Sequence, residues 1–147
     1  MSAPFFFMHR VRLDEIDAAG IVYFAHFFTW CHEAMAAMLE PVDGGYASLV
    51  MTRRVGLPAV HVEADFAAPV RFGDEVRIAT VVERVGTSSC ALRFDIERTS
   101  DGDHIATLRH VVALTDLGEM RSRPLPDDVL RVLARYRADL PDPRQPE

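Results

Sequence analysis

Lysine is absent from this chain of 147 residues: all 16 basic side chains are arginine, and against 22 Asp and Glu they leave a formal charge of −6. That balance argues against a nucleic-acid backbone as the main partner, because phosphate binding needs a basic face. It leaves room for a small anionic ligand, since the arginine guanidinium suits forked phosphate contacts, although coding bias accounts for the composition equally well. Cysteine is scarce. Cys31 and Cys90 are far apart, without a CxxC spacing, and both stand in apolar surroundings, so buried free thiols are expected. No run reaches the eighteen or so apolar residues of a membrane span. The short "FFFM" at Phe5 to Met8 lacks the basic lead and length of a signal peptide. A cytoplasmic protein without membrane or nucleic-acid partners is the expectation.

What is present is enough apolar material for one domain with a core of its own, hydrophobic residues making up 49% and charged residues 26%. "FFFMHRVRL" alternates and reads as a strand with Phe5, Phe7, His9, Val11 and Leu13 on one face. "DEIDAAG" breaks that pattern and reads as a loop. A helix is expected from about residue 24 or 25 to Glu40, closed by Pro41, and "PVDGGYASLV" reads as a turn into a poorly defined segment. Four strand candidates follow: "PAVHVEADFAAPV", "DEVRIATVVERVG", "SCALRFDIERTS" and "DHIATLRHVVALTD". Asp101-Gly102 between the last two is a hairpin signal. In the third, Cys90, Leu92, Phe94 and Ile96 alternate with polar neighbours. A second helix is expected over about 126–140, opened by Pro126 and two aspartates, with a frayed "PDPRQPE" tail. The whole, 1–147, reads as one α+β domain with a core of about 5–116, a long helix lying on a curved antiparallel sheet.

The first helix is unusual. Phe28, Cys31, Met35, Met38 and Leu39 cover one side, and Phe27, Trp30, Ala34 and Ala37 another; His26, Thr29, Glu33 and Glu40 leave a narrow polar stripe. A helix apolar nearly all round is enclosed. One five-stranded sheet wraps part of it, and a second copy of the chain would supply the remainder, so a homo-oligomer is expected. The first N–H groups of such a helix have no intrahelical partner, and the dipole there favours negative charge. An enclosed helix start therefore suits a developing oxyanion. Asp17, seven residues upstream on a loop made pliable by Gly20, can fold back to face it.

"DAAGIVYFAHFF" resembles the motif of hotdog-fold acyl-CoA thioesterases of the 4-hydroxybenzoyl-CoA thioesterase family, and the "PVRFGD" turn also fits. "VYFAHFFTWCHEA" is similar to the branch acting on 1,4-dihydroxy-2-naphthoyl-CoA. The resemblance implies a long central helix wrapped by a five-stranded antiparallel sheet, with sheet edges pairing in a homodimer or homotetramer. It implies hydrolysis of an aromatic acyl-CoA without cofactor or metal. Asp17 matches the catalytic carboxylate, as nucleophile or general base, and the Phe24 backbone N–H the oxyanion donor. Glu33 is a secondary catalytic candidate; Gly20, Tyr23, His26 and Phe27 are the expected substrate contacts. A related branch carries a catalytic histidine where Phe24 stands, and that role does not transfer. The basic turn that some relatives use for nucleotide phosphates is here "VGTSS", leaving Arg53, Arg54, Arg93, Arg121 and Arg123 as unranked substitutes.

Blander readings stand beside these. Asp17 could be a turn residue, the commonest use of a loop aspartate. Asp14, Glu15 and Asp17 lack a full cation loop. The HExxH pattern begun by His32-Glu33 fails at Ala36. Ser88 and Ser89 lack the G-x-S-x-G context. Trp30, Phe24, Phe27 and Phe28 could line an aromatic acyl pocket, against a default role in the core, and His61, His104 and His110 are expected to pack or face solvent. Two rival functions remain: a short- or medium-chain aliphatic acyl-CoA thioesterase, and a non-catalytic acyl-CoA-binding module.

Overall fold

The computed structural model describes residues 3–138. Five strands form one antiparallel sheet in the order β1-β4-β5-β6-β3: β1 (Phe5–Arg10), β3 (Ala59–Phe66), β4 (Glu75–Val85), β5 (Ser89–Arg98) and β6 (His104–Ala113). The helix α1 (Ala25–Met38) lies on the inner face of that sheet, against β1 and β4. Alternation decides which side chains meet it. On β5 the buried residues are Cys90, Leu92, Phe94 and Ile96, the face the sequence marks as apolar. On β4, Val76, Ile78 and Val82 join them, and on β6 Leu108 and Val112. From α1, Trp30, Cys31, Ala34, Met35 and Met38 complete this core. Thr29, His32 and Glu33 form the open stripe on the opposite side of the helix.

Several expectations need correction. β1 stops at Arg10; Val11 is still buried, but Leu13 is 70% exposed, because residues 13–15 turn as one 3-10 turn. The indistinct segment after Pro41 contains a helix, α2 (Gly45–Met51), entered through Gly44 and Gly45 at φ +78° and +79° and anchored by buried Leu49. That left-handed entry needs glycine, and a helix of two turns leaves too short a periodicity to read. Three two-residue strands, β2 (Val55–Gly56), β7 (Thr115–Asp116) and β8 (Arg121–Ser122), form a second small sheet in the order β2-β7-β8.

The last helix, α3, spans Asp127–Arg135 behind Pro126 at φ −63°. It ends earlier than its pattern suggests because the chain then joins the sheet: the Val82 N–H donates to the Tyr136 carbonyl and the Ala138 N–H to the Val82 carbonyl, each over 2.9 Å. Residues 139–147, which include the end of the expected helix and the "PDPRQPE" tail, lie outside the described residues. No helix among the described residues is long and apolar enough to cross a membrane.

Candidate active site

The chain enters α1 through a miniature hairpin. The Tyr23 N–H donates to the Glu15 carbonyl over 3.0 Å, Ile16 and Val22 form an antiparallel bridge, and the Asp17 N–H donates to the Ile21 carbonyl over 2.9 Å. Gly20 closes the turn, its N–H reaching the Asp17 carbonyl over 3.0 Å, at a φ of +81° that disfavours any side chain. One arm thus ends at Asp17, and the other runs on through Tyr23 to Phe24, the residue that caps α1. The N–H groups of Phe24 and Ala25 find no acceptor among the described residues, as the first turn of a helix requires.

Beneath this hairpin lies a carboxylate. Glu15 is only 2% exposed. Its Oε1 accepts the Arg12 backbone N–H and stands 2.8 Å from His9 Nε2, while Oε2 accepts the Trp30 indole N–H over 2.5 Å. Burial pushes this carboxyl upward, but the bonds from Arg12, His9 and Trp30 outweigh it and hold the group below its ordinary value. The sequence reading treats Glu15 as one of three loop acids. The available signal is His9 on the inward face of β1 together with Trp30 on an enclosed helix, two donors with no other obvious acceptor.

Beside the helix start opens a cleft of about 370 Å³, lined by Ile21, Val22, Phe24 and Phe27 on one side and by Phe66 and the segment 67–70 on the other. Every lining side chain is apolar. Phe66 meets Phe27 and Phe24 at interplanar angles of 65° and 78°, with ring centroids 5.2 and 6.5 Å apart. The two walls are joined, since the Val22 N–H donates to the Val70 carbonyl over 2.8 Å. The wall from Phe66 to Val70 carries no polar side chain that marks it as a site; its signals in the sequence are an apolar run and the start of the "PVRFGD" turn at Pro69.

Of the expected site residues, the structure brings Phe24 and Phe27 into the cleft. Tyr23 and His26 flank the helix start, their ring centroids 6.1 Å apart. Asp17 and Gly20 sit on the turn adjoining Ile21, outside the cleft lining of one chain. Asp17 is half-buried, and its Oδ1 accepts the Ala19 N–H over 2.8 Å, so it does also serve as a turn residue. Glu33 is exposed on the open stripe, nine residues beyond Phe24 or about 14 Å along the axis.

Three arginines considered for phosphates have other partners, among them Arg123, whose guanidinium stands 3.5 Å from the Glu119 carboxylate. Arg53 forms a forked pair with Asp128 over 2.6 and 3.2 Å, and Arg93 pairs with Asp95 over 3.0 Å. Both thiols are buried, which raises their pKa, that of Cys90 to about 11, and leaves them unreactive. His110 is buried between Phe28 and Phe94, whereas His61 and His104 face solvent.

The sequence pattern of the thioesterase-like superfamily matches residues 11–133. A 1,4-dihydroxy-2-naphthoyl-CoA hydrolase of Synechococcus sp. strain CC9605 is 35% identical over 138 residues, 90% of this chain and 91% of the relative. Among solved structures, a 1,4-dihydroxy-2-naphthoyl-CoA thioesterase from Synechocystis superposes with a TM-score of 0.79 at 25% identity, covering 88% of this chain and 95% of that one. A gentisyl-coenzyme A thioesterase superposes with a TM-score of 0.77 at 26% identity, covering 87% and 98%. A helix held by a five-stranded antiparallel sheet, the hairpin before it and these matches together make this chain a hotdog-fold member of the thioesterase-like superfamily.

Proposed function

We propose that the protein hydrolyses aromatic acyl-CoA thioesters to the free acid and coenzyme A, with acyl groups of the hydroxybenzoyl or dihydroxynaphthoyl kind. The observation that carries this reading is the pairing of free amides at the start of α1 with a cleft walled by Phe24, Phe27 and Phe66. Aromatic walls at angles to one another present both ring edges and ring faces, which suits a flat guest ring. The relatives named for aromatic acyl-CoA substrates support the same choice.

In this mechanism the thioester carbonyl points at the Phe24 N–H, and the helix dipole adds to the stabilisation of the oxyanion. One pre-aimed donor of this kind contributes about 3–4 kcal/mol. Asp17 supplies the carboxylate that adds to the carbonyl carbon or takes a proton from the water that does. The carbon–sulfur bond then breaks and coenzyme A leaves as a thiolate. On the first route water next cleaves the acyl–Asp17 anhydride; on the second it has already added. On either, its proton ends on the sulfur while its oxygen stays in the free acid. A thiol leaves with less help from a general acid than an amine needs, so a sparse set of groups suffices. Gly20 lets the turn close, and Tyr23, His26 and Phe27 contact the substrate. Glu33 has a secondary role, reached across an interface between two copies of the chain.

The test is thiol release from benzoyl-, 4-hydroxybenzoyl-, 1,4-dihydroxy-2-naphthoyl-, phenylacetyl- and octanoyl-CoA, with Asp17→Asn measured in parallel. Aromatic substrates turning over fastest, with the variant crippled on all of them, is the expected result. Preference for octanoyl-CoA would move the assignment to aliphatic substrates. No release from any of them would leave a binding module.

A further inference from the structure

The loop that carries Asp17 has to hold a fixed distance from the start of α1, yet it is short, exposed at its tip and contains Ala18, Ala19 and Gly20. Its rigidity must come from below. Glu15 is bonded at four points to four different places: the carboxylate to His9 on β1, to the Arg12 N–H and to Trp30 on α1, and the carbonyl to the Tyr23 N–H one residue before the helix cap. Two residues further on stands Asp17, and one residue past Tyr23 stands Phe24.

We propose that Glu15 is a positioning residue for hydrolysis: its buried carboxylate, locked to Trp30 and His9, fixes the two arms of the hairpin and so the placement of Asp17 relative to the Phe24 N–H. The inference rests on the catalytic reading of Asp17 and Phe24 given above. A carboxylate at this depth is costly to bury and is retained only where its bonds are satisfied. Packing alone would be served by an apolar side chain of the same size. What the carboxylate adds is direction, since its two oxygens face different elements and hold a strand, a loop and a helix in one relation. Small misplacement of a reacting group has a large effect on rate and little on binding. Glu15 touches no lining residue of the cleft through its carboxylate, so its loss should appear in kcat and not in KM.

The experiment compares the full chain with Glu15→Gln, Trp30→Phe, Asp17→Asn and the Glu15→Gln/Asp17→Asn double variant, using 4-hydroxybenzoyl-CoA as the probe. Glu15→Gln is expected to lower kcat by about tenfold or more with KM changed less than about twofold. Trp30→Phe, which keeps the carboxylate and most of the packing, is expected to lower kcat by roughly threefold, and it serves if Glu15→Gln fails to fold. Combined with Asp17→Asn, Glu15→Gln should bring little further loss, because it acts through the same carboxylate. Amide exchange of Tyr23, measured without substrate, should quicken by about tenfold in Glu15→Gln as the hairpin loosens. Parental kcat and parental Tyr23 exchange in Glu15→Gln, or losses that multiply fully with Asp17→Asn, would overturn the assignment. An Asp17→Asn protein at full rate would instead defeat the catalytic reading of Asp17, and Tyr23 exchange would still decide whether Glu15 holds the hairpin.

Discussion

Phe27 in the first turn of α1 and Phe66 at the end of β3 meet close to edge-on, ring centroids 5.2 Å apart. Phe27 is 4% exposed, whereas Phe66 is 48% exposed, so the contact marks the border of what one chain can cover. Beyond it, Val62 shares the inner face of β3 with Phe66 and is 44% exposed, and Val60, at the bulge between Ala59 and His61, is 63% exposed. β3 is also an edge strand of eight residues, with β6 its one neighbour among the described residues. Such an edge is a template for pairing with another chain. The expected parent in light scattering behind gel filtration is a dimer or tetramer, with Val62→Lys shifted to monomer. A monomeric parent at micromolar concentration would dismiss the second chain.

Asp17→Asn keeps an oxygen for the Ala19 N–H and therefore the turn. Its kcat should fall by about a hundredfold or more, the usual scale for losing a catalytic carboxylate or its proton transfer. The melting temperature should move by no more than a few degrees. A variant that retains the parental rate would mean that Asp17 only shapes the loop.

Side chain and backbone of residue 24 can be separated. Phe24 has φ −55°, a value proline also adopts. Phe24→Ala keeps the N–H and exposes the cleft, so KM should rise with kcat nearly intact. Phe24→Pro removes the donor, and kcat should drop by roughly a hundredfold to a thousandfold. Equal kinetics for the two variants would show that the amide does not hold the oxyanion.

The forked pair of Arg53 with Asp128 ties α3 to the segment after α2, helped by the Asp43 N–H. The bond from Arg53 holds the Asp128 carboxyl down to about 2, against an ordinary value of 3.8. A carboxyl lowered by folding stabilises the native state above its unfolded pKa and loses that contribution as pH falls through the folded one. Denaturant unfolding at pH 7 should find Asp128→Asn weaker by up to about 2 kcal/mol. The gap between parent and variant should close between about pH 4 and pH 2. A gap independent of pH would indicate lost packing, not lost charge.

The sequence made the centre of this molecule legible because its periodicities are long. Cys90, Leu92, Phe94 and Ile96 alternate through a strand buried on one face, and α1 repeats apolar residues over nearly four turns. Elements of two residues, such as β2, and a helix of two turns, such as α2, are settled by tertiary contacts that local pattern does not carry. At the site, Phe24 was legible as an amide at the start of an enclosed helix, and Phe27 only through the family resemblance. Phe66 and Val70 were not, because a lining formed by ordinary apolar side chains looks like any other strand end. Glu15 was hidden for a different reason: acidity suggests solvent, and only the convergence of His9, Arg12 and Trp30 makes a carboxylate at home indoors.

The hydrogen bond from Val22 to Val70 clasps the two sides of the cleft at their base. Residues 48 positions apart are thereby stitched together at one end of the cleft. If the cleft holds the acyl group as proposed, girth at the clasped end is what this bond would limit. A longer chain would have to thread outward past Phe66, toward the edge of β3 where the expected second copy of the chain would set how much length is tolerated.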